Sequence, residues 1–285
     1  MKNNIIEIEH LTKRYGKHRG VTNVTLAVQE GDIFGFLGPN GAGKSTTIRS
    51  ILGFLNYEEG KIQVCGLDSI HDHEAILKNV GYIPSEAWFY PEMTVNQLLQ
   101  MSADVRKVDC RAEKEMLCEK LEMDVNRKIN ELSLGNRKKV SIICAMQHKP
   151  KLFIFDEPTS GLDPLMQNTF FELLSDYVKM GATCMLSTHV LSEVRNYCNK
   201  VGMMKEGLLL CTDSVENLTK SSAKRIRMIR NKEKLDYLYK GNMNDIYKEL
   251  AGYDIQDLLI EEPSIEEIFM HYYKKETSDV NNMEA

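Results

Sequence analysis

Residues 38–46 read GPNGAGKST, which fills every position of the pattern G-x-x-x-x-G-K-[ST]. This order of residue types suits a phosphate. Gly38, Gly41 and Gly43, with Asn40 between them, let backbone N–H groups turn inward around anionic oxygens. The following helix start adds its partial positive charge. Lys44 supplies a point charge to terminal phosphates and Ser45, which closes the pattern, a hydroxyl to Mg²⁺; Thr46 follows at the helix start.

Two further stretches could complete such a site. LFIFDEP (152–158) is an apolar run ending in two acids, the pattern of a buried central strand. Ligands of open α/β sheets bind beyond the carboxyl ends of their strands. Asp156 is therefore expected to face the metal, and Glu157 to act as base or orienter for an attacking water. The alternative is a helix N-terminus rich in acids. TCMLSTH (183–189) delivers His189 to the same edge, so three strands end at Gly38, Asp156 and His189.

The elements that must hold these residues alternate strand and helix, which predicts α/β layers around a mostly parallel sheet. Strands are expected near 4–9, 23–28, 33–37, 61–64 and 80–83, with a helix over 44–53. From 94 to 147 the pattern is helical, with Thr94 and Gln97 spaced as a capping box. Asp163 and Pro164 fit N-cap and first-turn positions of a later helix. Beyond about residue 214 the composition changes. KSSAKRIRMIRNKEK is basic and polar, LLIEE reads as a strand, and PSIEEIFMHYY begins a last helix with Ser264 and Glu267 as a second capping box.

Composition sets bounds. A chain of 285 residues with 42% hydrophobic and 27% charged residues is ordinary for a globular protein. A net charge of −5 gives no reason to expect nucleic acid as a partner. No stretch approaches the roughly 18–20 apolar residues of a membrane span, and no early apolar stretch of signal-peptide type is read after MKNNIIEIEH. Seven cysteines without C-x-x-C spacing read as reduced core residues of a cytosolic protein.

With ELSLGNRKK (131–139) added, the set resembles the ATP-binding cassette (ABC) ATPases over about residues 4–212: phosphate loop GPNGAGKST, signature LSLGN, then FIFDEPTSGLDP and the histidine of STH. The resemblance implies a P-loop NTPase of ABC type: a RecA-like core sheet with helices, an antiparallel β subdomain and a helical subdomain. The cassette would span 1–213, with its helical subdomain at about 90–148. A small C-terminal α/β appendage would cover 214–275 and a disordered tail 276–285. ATP and Mg²⁺ would be bound, with Lys44, Glu157 and His189 catalytic and Ser45 and Asp156 holding the metal. Two cassettes would meet head to tail, so that Ser133 and the Gly135 backbone address the γ-phosphate on the other subunit.

Tyr15 occupies the place of the aromatic that stacks on adenine, a packing tyrosine being the alternative. Asp163 matches the loop that couples the two sites. Arg137, Lys138 and Lys139 read as a solvated face. Two departures stand out: Leu134 and Asn136 replace a glycine and a glutamine, and Ser85 stands where the family typically has a glutamine. Leu134 is similar to signatures of the drug- and bacteriocin-export branch, which implies a homodimer, or a pair with a related cassette, peripheral on the cytoplasmic face of the membrane and powering export through a separate integral-membrane permease. Trp88, Phe89 and Tyr90 would contribute to the groove that receives the permease, or else fold onto their own subdomain. The rival functions are an import subunit, a nucleotide-sensing module with weak hydrolysis, and a soluble ATPase acting on ribosomes or DNA.

Overall fold

The computed structural model describes residues 3–16, 18–219, 223–230, 233–240, 243–250 and 255–261. Its chain forms two compact units, Met1–Thr212 and Asp213–Ala285.

In the first unit β1 (Asn4–Tyr15) and β2 (His18–Gln29) pair antiparallel. Both run longer than their apolar alternation predicts. His10 and Asn23 sit at left-handed φ of 52°, and register shifts flank them, so the period of two breaks while pairing continues. Beyond β3 (Ile33–Leu37), the strand β4 (Glu59–Val64) joins the free edge of β1, and β5 (Leu67–Asp68) completes a four-stranded sheet in the order β2-β1-β4-β5.

The second sheet carries the chemistry. β6 (Val80–Ile83), β7 (Leu152–Asp156), β8 (Thr183–Thr188) and β9 (Lys200–Lys205) join β3 and β10 (Leu208–Ser214) in the order β10-β9-β3-β8-β7-β6. The pairs β9–β3, β3–β8, β8–β7 and β7–β6 are parallel. β7 and β8 are buried throughout, which explains their unbroken apolar sequence.

Helix α1 (Lys44–Ile51) contacts β2 and β4 of one sheet and β7 of the other. Its Ile48 and Ile51 join Phe34, Phe36, Ile62 and Ile154 in one core. The pleat sends Phe153 and Phe155 to the opposite face of β7. There Phe155 meets Phe170 of α6 (Pro164–Lys179), with ring centroids 5.7 Å apart. The helix that begins at the phosphate loop is thus fixed between two sheets, and the acid-bearing strand is packed on both faces.

α2 (His73–Asn79) precedes β6. The helical stretch predicted over 94–147 resolves into α3 (Val95–Arg106), α4 (Arg111–Lys120) and α5 (Leu134–Met146), with a short 3-10 turn at Ile129–Glu131. α3 begins on the expected capping box: the Gln97 N–H donates to the Thr94 hydroxyl, and the Thr94 N–H to the Gln97 side chain. It ends where Lys107 turns left-handed at φ 56°. α6 begins as read, with Asp163 accepting from the Met166 N–H at 3.0 Å. α7 (Leu191–Tyr197) follows β8.

In the second unit, after α8 (Val215–Thr219), β11 (Ala223–Arg230) lies between β12 (Glu233–Lys240) and β13 (Ile255–Glu261), antiparallel to both. Ile226 and Met228 of β11 pack with Ile246 and Leu250 of α9 (Met243–Leu250). Residues 223–230 of the basic and polar stretch therefore form a strand. Its arginines alternate with apolar residues, and Arg225 and Arg227 reach Asp236 on β12. The predicted last helix from Pro263, its capping box at Ser264 and Glu267, and the tail at 276–285 lie outside the described residues.

Candidate active site

β3, β8 and β7 are neighbours, so the segments leaving their carboxyl ends are brought together by topology. Leu37 pairs with Thr188 and Asp156 with Ser187, and the Gly38 N–H donates to the Thr188 carbonyl at 3.2 Å. Within the phosphate loop Gly43 is left-handed at φ 104°, and a Cβ there would come within 2.6 Å of the Val21 side chain. No other residue combines that angle with that space. Lys44 is buried, and its ammonium donates to the carbonyls of Gly38 at 2.7 Å and Pro39 at 3.1 Å. Burial pushes its pKa down, with Glu157 and Asp156 opposing. The cation is thus already drawn into the loop, close to where an anion would sit.

Asp156 is 1% exposed. Its Oδ1 accepts from the Ser187 hydroxyl at 2.5 Å, whereas Oδ2 is buried without a hydrogen-bond partner. An orphaned carboxylate oxygen at a sheet edge is a ready ligand for a hard cation. Among the described residues no group of three or more His, Cys, Asp and Glu side chains could hold a metal by itself. A hard cation there would have to draw most of its ligands from phosphate and water.

Glu157 adopts φ 51°, uncommon for a residue with a side chain. Its N–H donates to both the carbonyl and the hydroxyl of Ser187 at 3.2 Å. Its Oε1 lies 3.7 Å from the Lys44 ammonium and 3.3 Å from His189 Nδ1. A carboxylate only accepts, so a hydrogen bond across this contact is one that Nδ1–H donates. The carboxylate is thereby placed between the phosphate-loop cation and the half-exposed histidine.

Tyr15 is 41% exposed, and its hydroxyl is 3.5 Å from that of Thr46. The Lys13 ammonium lies over the Tyr15 ring, 5.7 Å from the centroid. Asn40 and Gly41 are exposed at the loop tip, and Ser45 and Thr46 are half-buried on α1. Ser133 caps α5, its Oγ accepting from the Asn136 N–H at 3.3 Å, so its own O–H remains available to donate. Ser133 and Gly135 lie at the start of α5, not on the strand ends that carry Glu157 and His189. A Cβ on Gly135 would lie 2.8 Å from the Gly161 carbonyl, so this loop leans on the tip of α5.

Sequence reasoning missed three contributors. Ser187 holds Asp156 and Glu157 at once. Glu193 of α7 is buried and accepts from the hydroxyls of Thr159 and Thr188, each at 2.6 Å, tying the loop after β7 to the one after β8. Two threonine hydroxyls and an acid four residues after a strand-end histidine were the available signal. Lys138 is 6% exposed rather than solvated, because its stem runs inward from α5. Nothing in the RKK run marks which cation is buried.

The family model described as ABC transporter matches residues 21–160. The bacitracin transport ATP-binding protein BcrA of Bacillus licheniformis is 31% identical over 273 residues, which are 94% of this chain and 85% of the relative. The chain belongs to the ABC transporter ATP-binding proteins. The cassette is also 33% identical over 224 residues to the probable multidrug ABC transporter ATP-binding protein YbhF of Escherichia coli (strain K12), covering 77% of this chain but only 39% of that relative's length. It is 31% identical over 219 residues to the linearmycin resistance ATP-binding protein LnrL of Bacillus subtilis (strain 168), covering 75% of this chain and 70% of the relative. A solved ATP-binding subunit of an ABC transporter superposes with a TM-score of 0.71 at 27% identity, covering 87% of this chain and 99% of that one. The ABC cassette fold expected from the sequence is the fold observed, and among the described residues no helix is long and apolar enough to cross a membrane.

Proposed function

We propose that this chain hydrolyses ATP to ADP and phosphate as the motor subunit of an exporter, working as a homodimer on the cytoplasmic face of a separate membrane permease. The observation that carries the reading is Glu157, whose carboxylate oxygen is 3.7 Å from Lys44 and 3.3 Å from His189 at the ends of adjacent parallel strands. Export is supported by relatives concerned with bacitracin transport and linearmycin resistance. The cargo class that fits them is drug-like, peptide or lipid-like.

In this reading the adenine stacks on Tyr15, and the N–H groups of the loop from Gly38 to Thr46 cradle the phosphates. Lys44 leaves the Gly38 and Pro39 carbonyls for the terminal phosphate. Asp156 Oδ2 and the Ser45 hydroxyl would hold Mg²⁺, which neutralises charge building on the phosphate oxygens. Glu157 orients and polarises the attacking water, while His189, anchored through Nδ1, keeps its other ring nitrogen for the phosphate. Ser133 and Gly135 complete the site of the partner copy. Residues 1–213 form the cassette and 214–275 an accessory domain. Trp88, which is 90% exposed, and exposed Tyr90 suit a docking lip for a permease helix.

Glu157→Gln tests the assignment. The amide keeps the shape and loses the base, so turnover should fall ~10²-fold or more while ATP binding persists. Retained turnover in that variant removes Glu157 from the reaction.

A further inference from the structure

We infer that Lys138 is a positioning residue for Glu157, coupling the tip of α5 to the hydrolytic carboxylate through the main chain. The inference rests on the ATPase reading above.

Its ammonium donates to the carbonyls of Pro84 at 3.4 Å, Ser85 at 3.1 Å and Glu157 at 3.2 Å. A lysine has three N–H donors, and each finds one carbonyl. The acceptors belong to two loops, one leaving β6 and one leaving β7, which are adjacent parallel strands. One buried cation thus joins three elements: α5 and the ends of two strands.

The joint falls where the backbone needs holding. Glu157 is left-handed at φ 51°, and a residue with a side chain persists there only when its surroundings fix it. Ser187 takes its N–H, and Lys138 takes its C=O. Both peptide planes flanking the carboxylate are therefore pinned, and the direction of the side chain towards Lys44 and His189 follows from them. A neutral donor or an apolar side chain could fill this space without taking a charge out of water, which is costly unless the charge has a task. Desolvation pushes the Lys138 pKa down, and Asp156 and Glu157 work against that shift, so the cation also contributes positive potential behind the two acids.

Lys138 lies five residues beyond Ser133 on one rigid helix. A displacement of the α5 tip, where Ser133 and Gly135 would meet the phosphate of a second subunit, moves the ammonium relative to the Glu157 carbonyl. Hydrolysis then responds to whether that tip is engaged, with no contact between the tip and the carboxylate itself.

The test uses the full chain with Mg²⁺ and ATP, measuring kcat, ATP affinity and the thermal midpoint. Lys138→Met keeps stem length and removes every donor. It should lower kcat by at least ~10-fold, as small misplacements of catalytic groups do, and leave ATP affinity within about 3-fold. Lys138→Gln, a shorter neutral donor, should fall between Met and wild type. A folded Met variant with kcat within about 2-fold of wild type overturns the inference, as does parallel loss of kcat and affinity. Should the Met variant fail to fold, the Gln variant decides: reduced kcat at unchanged affinity supports the assignment, and wild-type kcat overturns it. A wild-type chain without turnover overturns the ATPase reading and this inference together, whereas an active wild type with an unaffected Met variant overturns this inference alone.

Discussion

Gly135→Ala sets two opposed effects against each other at one carbon atom. Alanine in a helix is favoured over glycine by at most about 1 kcal/mol, and less this near the N-terminus of α5. Against this, the new Cβ would stand 2.8 Å from the Gly161 carbonyl oxygen, where ordinary contact starts at 3.4 Å. That oxygen is main chain and must withdraw by about 0.6 Å, a displacement in the range where overpacking costs about 1–3 kcal/mol. The net destabilisation is then about 0–3 kcal/mol, at roughly 2–4 °C of thermal midpoint per kcal/mol. The cost in turnover should be larger. Gly161 lies four residues from Glu157 and two from Asp163, which caps α6, so the shift falls on the segment between the hydrolytic carboxylate and that cap. The alanine retains the residue's N–H, so loss of activity cannot be assigned to a missing anion donor. Circular dichroism in urea gives the stability and phosphate release gives the turnover; a fall of about 10-fold or more is expected in a variant that is still folded under the assay conditions. A stable variant with full turnover would refute the claim that the Gly135–Gly161 approach matters.

Two further outcomes follow from buried groups. Glu193→Leu leaves the hydroxyls of Thr159 and Thr188 without their acceptor, which should cost about 2–4 kcal/mol and slow turnover by loosening both loops; urea denaturation showing a loss under about 0.5 kcal/mol would contradict this. His148 has both ring nitrogens buried, and burial, with Arg106 secondary and the backbone of Val80 and Cys144 opposing, holds its pKa down at about 4 against an ordinary 6.5. Between those values the unfolded chain binds more protons, so the stabilisation is complete above about pH 6.5 and is lost as pH falls towards 4. Unfolding midpoints of His148→Leu should therefore fall less between pH 7 and 5 than those of wild type, and equal slopes would exclude His148 as a source of acid sensitivity.

Local chemistry was readable from the sequence where the signal is carried by a few neighbours. The Thr94–Gln97 box, the Asp163 cap and the convergence at Gly38, Asp156 and His189 all depend on residues next to one another or at strand ends. The full lengths of β1 and β2 were hidden because left-handed His10 and Asn23 break the alternation. The β11 strand was hidden because its arginines dominate the composition, although Ile226 and Met228 keep the period of two. Lys138 was unreadable for a different reason. Three cations in a row on one helix turn differ only in which face the neighbouring loops cover, and that is set by tertiary packing.

The chain has a single tryptophan, Trp88, and it is almost wholly in water. Its emission should therefore already lie at the red, water-like end in the folded protein and change little on denaturation. Intrinsic fluorescence will be a poor gauge of the core, for which dichroism is needed. The same property makes the residue a built-in optical probe of a different event. A blue shift upon adding a membrane partner that lacks tryptophan would report coverage of this one lip, without a label.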